Sequence, residues 1–153
     1  MTLTREEFLD YSREYTIIPV WRELVADQVT PVAAFARVVG DDSGFLLESV
    51  ENGERWSRWS FIGRNPLLTI SKDDNEISID GEIPLPIESK KGILELVKSL
   101  QETLKTPKID ALPPMYSGLI GYLGYDIVRE IEDLPLIPNN DLELPDAILS
   151  IIG

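Results

Sequence analysis

The chain of 153 residues is 43% hydrophobic and 27% charged, a composition typical of one soluble globular domain. It has neither cysteine nor histidine, which excludes disulfides, thiolate nucleophiles and Ser-His-Asp triads and removes the commonest metal ligand. Its net charge of −13 disfavours nucleic acid and anionic membrane surfaces as partners. No apolar run reaches the roughly 18 residues of a membrane span, and no signal peptide is recognisable, so we expect a cytoplasmic protein.

The first 40 residues predict two short helices separated by a strand. Thr4 and Glu7 have the spacing of a capping box, which predicts a helix over about residues 5–14. The β-rich run 16–24 contains a proline, so it predicts an edge strand or a bulge. Pro31 begins a second predicted helix, and Gly40 ends it.

The middle of the chain predicts an antiparallel meander, in which four neighbouring strands are linked by tight turns. An amphipathic helix follows, and two further apolar runs have the length of strands. We therefore predict an α+β fold: a largely antiparallel sheet with a few helices at one side. The predicted strands cover residues 16–24, 45–50, 55–63, 67–72, 76–80, 116–124 and 146–152, and the amphipathic helix covers 91–105.

The predicted hairpin 45–63 is unusual because its apolar first strand ends in polar residues. Glu48 and Ser49 end the first strand, and the returning strand carries Arg58 among aromatic residues. One interpretation is structural, with a tryptophan facing the core and Arg58 paired with a nearby carboxylate. The other is an amino-acid receptor, in which Arg58 binds a carboxylate while Glu48 and Ser49 hold an ammonium group. Spacing alone leaves both interpretations open.

Two other patterns favour structural interpretations. Glycines at 118, 121 and 124 do not have the spacing of a phosphate-binding loop, and no Lys-Ser/Thr pair follows them, so a buried strand with close backbone approach is the better interpretation. The carboxylates Glu48, Glu51 and Glu54 lie in and around a turn, which favours ordinary solvation over a metal cluster or an acid/base pair. We predict no metal site and no catalytic residue in this chain.

Three stretches together resemble the N-terminal region of anthranilate synthase component I, in the chorismate-utilising enzyme family. They are residues 45–50 (FLLESV), 55–63 (RWSRWSFIG) and 118–129 (GLIGYLGYDIVR), the last followed by Leu134 and Pro135. Ser117 stands where that family often has a second glycine. The resemblance covers nearly the whole chain.

The resemblance implies that residues 1–153 form a regulatory and scaffolding N-terminal domain. The full-length subunit would convert chorismate to anthranilate and pyruvate, using Mg²⁺ and ammonia from a glutamine amidotransferase subunit. Its C-terminal chorismate-binding catalytic domain would be absent here, so we predict that this chain alone is inactive. The apolar final run 143–153 supports that expectation, since a natural domain seldom finishes on an unprotected strand edge.

The same resemblance implies a binding site for L-tryptophan as feedback inhibitor. Leu47, Glu48 and Ser49 match the family's pocket segment, and Arg58 aligns with a basic residue of the following strand. Tryptophan, the amidotransferase subunit and the missing catalytic domain are therefore the expected partners. Two alternatives remain: the equivalent part of 4-amino-4-deoxychorismate synthase component I, which serves folate synthesis, and an acidic protein-interaction module without a ligand.

Overall fold

The computed structural model describes residues 3–48, 59–74, 76–81, 92–136 and 143–152. It confirms an α+β fold with antiparallel sheets and few helices. The elements are α1 (Arg5–Tyr11), α2 (Pro31–Val38), β1 (Gly44–Glu48), β2 (Ser60–Arg64), β3 (Leu68–Asp73), β4 (Glu76–Gly81), α3 (Ile93–Thr103), β5 (Gly118–Leu123), a 3₁₀-helix (Tyr125–Glu130) and β6 (Ala147–Ile152).

Both N-terminal helices begin where their caps predict. The Thr4 hydroxyl accepts a hydrogen bond from the Glu7 amide at 3.2 Å, and the Glu7 carboxylate accepts from the Thr4 amide at 2.8 Å, so the capping box is complete. The Thr30 hydroxyl caps α2 in the same way, at 3.2 Å from the Ala33 amide. α1 ends at Tyr11, three residues earlier than predicted.

The predicted strand over residues 16–24 is wrong, because this segment lies in an irregular conformation. Its first residues serve instead as the cap of a helix. The Thr16 hydroxyl donates to the Thr103 carbonyl at 2.9 Å, and the Thr16 and Ile17 amides both donate to the Lys105 carbonyl at 3.0 Å. These donors satisfy the carbonyl of the last residue of α3 and that of Lys105, just beyond the helix. The proline that follows in the segment has no N–H for a strand ladder.

The predicted meander is also wrong. β1 and β2 form a two-stranded antiparallel sheet, while the other strands form a second sheet in the order β4-β3-β6-β5. β3 and β4 pair as predicted, but the other edge of β3 is occupied by β6, from the end of the chain. Between β2 and β3, Asn65 has a positive φ of 50° and a proline follows, so the chain turns away from the first sheet.

The core lies between α3 and one face of the four-stranded sheet. Every second residue of β6 is buried, as a strand packed on one face requires. The amphipathic pattern of α3 supplies the opposite wall, which confirms the prediction for that helix. The fully or almost fully buried members of this core are Leu68, Ile70, Ile93, Leu96, Leu100, Ile127, Ala147, Leu149 and Ile151.

A carboxylate from outside the helix caps the N-terminus of α3. Glu130, the last residue of the 3₁₀-helix, accepts hydrogen bonds from the Ile93 amide at 2.9 Å and the Leu94 amide at 3.0 Å. The ammonium group of Lys72 lies 3.8 Å from the Glu130 carboxylate and 3.2 Å from that of Asp146. A β-carbon on Gly92 would lie 2.5 Å from a Glu130 carboxylate oxygen, so this helix start has no room for a capping side chain of its own.

We predict that Glu130→Ala lowers the free energy of unfolding by about 2 kcal/mol or more. It removes two charge-assisted hydrogen bonds at a helix N-terminus and one partner of a largely buried lysine. Urea unfolding followed by circular dichroism measures the change. The matched control is Asp110→Ala, which removes one partner of an exposed ion pair to Lys108 and should change the stability by less than about 0.5 kcal/mol. Equal effects of the two substitutions would contradict this prediction.

The capping box of α1 makes the stability of that helix depend on pH. The Thr4 backbone amide, and then its hydroxyl, hold the pKa of the Glu7 carboxyl below its usual range. Because the folded-state pKa is depressed, the stabilisation is present above the usual glutamate value of about 4.3 and is lost as the pH falls through the folded-state pKa. An NMR titration of the Glu7 carboxyl carbon should show this low midpoint. In Thr4→Ala the midpoint should move only part of the way toward the usual value, because residue 4 keeps its backbone amide, and an unmoved midpoint would refute the contribution of the hydroxyl.

Candidate functional site

The β1–β2 pair carries the described part of the predicted receptor. Leu47 and Glu48 are the last two residues of β1 and pair with Phe61 and Ser60 of β2. Both side chains are exposed, Leu47 to 43%. The predicted partners Ser49 and Arg58 lie outside the described residues. The convergence of these four residues therefore stays a prediction.

Alternation along β1 separates the two described candidates. Successive side chains of a strand point to opposite faces, so Leu47 shares a face with Phe45, whereas Glu48 lies on the other face. The ring of Phe45 lies over Gly63, its partner on β2, so closely that a β-carbon at position 63 would overlap it. The side chains of Phe45 and Leu47 thus lie on one face of β1, and the carboxylate of Glu48 lies on the other.

A cavity of about 340 Å³ is bounded by the two sheets. Gly44, Phe45 and Gly63 form its wall on the two-stranded sheet. On the four-stranded sheet the wall comes from the face opposite the α3 core, where the Thr69 and Ser150 hydroxyls lie 3.2 Å apart. The residues of that second wall are Thr69, Ile120, Gly121, Tyr122, Ile148, Ser150 and Ile152. Such a space suits an apolar group with few polar contacts.

Arg64 is the only charged residue among those that line this cavity. The Arg64 guanidinium donates to the Val38 carbonyl and lies 3.4 Å from the Asp42 carboxylate, so it is already engaged at the end of α2. Neither Leu47 nor Glu48 lines the cavity. This cavity could not be predicted from the sequence, because its walls combine residues 43–69 with residues 120–152. The available signal was the alternation Ile148, Ser150, Ile152, which marks a second sheet face that is only partly apolar.

The glycine-rich stretch is structural. Gly121 lies on β5 directly beside β6, where a β-carbon would overlap the Ile148 carbonyl oxygen. Gly124 donates its amide to the Asp146 carbonyl at 2.6 Å. The side chain of neighbouring Tyr122 reaches the same segment, donating to the Pro145 carbonyl at 2.9 Å. These contacts show close backbone approach at Gly121 and Gly124. The prediction of a buried strand is wrong, because β5 is an edge strand of its sheet and its residues are half-buried or exposed.

Two properties of the described residues bear on function. No group of three or more acidic side chains there is placed to hold a metal ion. None of the described helices combines the length and the hydrophobicity needed to cross a membrane.

Curated proteins named anthranilate synthase component 1 match this chain over almost its full length, in their N-terminal region. The protein from Mycolicibacterium smegmatis is 40% identical over 149 residues, which are 97% of this chain and 28% of the relative. The one from Acetivibrio thermocellus is 37% identical over 94% of the chain and 29% of its own length. That from Arthrobacter globiformis is 34% identical over 96% of the chain and 28% of its length. No protein-family model matches the chain.

We predict that Gly121→Ala lowers the free energy of unfolding by about 2–4 kcal/mol, because the new methyl group forces β5 away from β6. Gly118→Ala is the matched control on the same strand. Its β-carbon would meet nothing within 4 Å, so this substitution should be neutral or slightly stabilising. Urea unfolding of both variants is the measurement. If Gly121→Ala is as stable as Gly118→Ala, the close approach is not needed for the fold.

Proposed function

The chain belongs to the anthranilate synthase component 1 family, and we propose that it forms the regulatory and scaffolding domain at the N-terminus of such a subunit. The observation that carries this proposal is the match itself: 34–40% identity over 94–97% of the chain, but over only 28–29% of the relatives' length. The chain therefore corresponds to less than a third of the proteins that bear this name. The remaining length of the subunit would hold the catalytic domain.

For the complete subunit we propose the lyase reaction that the family resemblance implies. Chorismate would be converted to anthranilate and pyruvate with ammonia from a glutamine amidotransferase subunit. We propose that this subunit is the second component that the relatives' name implies. The composition supports placing this chemistry outside the chain, since it has no histidine or cysteine. The described residues also hold no acidic cluster that suits Mg²⁺, so no metal-dependent step is assigned to them. A cytoplasmic location belongs to the same proposal.

At the end of the β1–β2 hairpin we propose a site for L-tryptophan, formed by Leu47, Glu48, Ser49 and Arg58. One physical feature supports it: the exposed carboxylate of Glu48, at the end of β1, is accessible to an ammonium group. Leu47 is also exposed but lies on the opposite face of the strand, so it would contact the ligand only around the strand end. Arg58 would bind the carboxylate of the ligand. The remaining walls would come from the rest of the subunit.

Inhibition would follow from a shift between two arrangements of the subunit. Tryptophan would bind one arrangement of the two domains more tightly than the catalytically active one, and this difference in affinity would set the extent of inhibition. A site completed by both domains has the property this mechanism needs, because its geometry changes when the domains move. The runner-up function, 4-amino-4-deoxychorismate synthase component I, is less well supported, since the relatives compared above all carry the anthranilate synthase name.

We predict that Ser49→Phe in the full-length subunit relieves tryptophan inhibition while leaving uninhibited turnover within about two-fold of wild type. The bulky ring would fill the space of the ligand, while residue 49 takes no part in the proposed reaction. The measurement is the tryptophan concentration that halves anthranilate formation, which should rise at least about 10-fold, or about 1.4 kcal/mol of lost binding.

Ser78→Phe is the control for that experiment, since it makes the same exchange on β4, an exposed edge strand of the other sheet. Its inhibition by tryptophan should equal that of wild type. Unchanged inhibition in Ser49→Phe would place the tryptophan site elsewhere. A wild-type subunit that forms 4-amino-4-deoxychorismate in place of anthranilate would establish the runner-up function.

A further inference from the structure

We draw no further inference here: the strongest candidate, the cavity of about 340 Å³ between the two sheets, has mostly apolar walls and a single charged lining residue, Arg64, that already binds Val38 and Asp42, and nothing in the structure shows what fills it.

Discussion

The start of α3 depends on a carboxylate that belongs to another element, and much of the fold depends on this contact. Glu130 caps the helix from 36–37 residues away in sequence. The ammonium group of Lys72, on β3, pairs with the carboxylates of both Glu130 and Asp146. Three elements therefore meet at one charged cluster: the sheet, the 3₁₀-helix and α3. Since the apolar core lies between α3 and the sheet, the same contact positions Leu96 and Leu100 over β3 and β6.

The four-stranded sheet has a different role on each face. One face is covered by α3, while the other contributes hydroxyl and aliphatic groups to the cavity below the β1–β2 pair. The small sheet that closes this cavity is also the sheet on which the proposed tryptophan site lies. A ligand or a second domain that contacts the hairpin would thus act on a part of the chain that lies outside the main core.

The proposed tryptophan site and the contacts around the 3₁₀-helix belong to different parts of the domain. The proposed tryptophan site is at the end of β1, where the side chains of Leu47 and Glu48 are exposed. The segment around the 3₁₀-helix is held by Ile127, Arg129 and Glu130. This division is physically reasonable, because an allosteric site needs an arrangement that can change.

The features that could be predicted from the sequence are those that depend on neighbouring residues. The capping box at Thr4, the helix start at Pro31 and the amphipathic face of α3 all follow from residues three or four apart. The strand order, the capping of a helix by residues 16 and 17, and the contact of Glu130 with α3 became visible only in the folded chain. Those features join residues that are tens of positions apart, such as Thr69 and Ser150, 81 residues apart across β3 and β6. Local propensity does not encode such pairings, because they are selected by which apolar faces can be buried together.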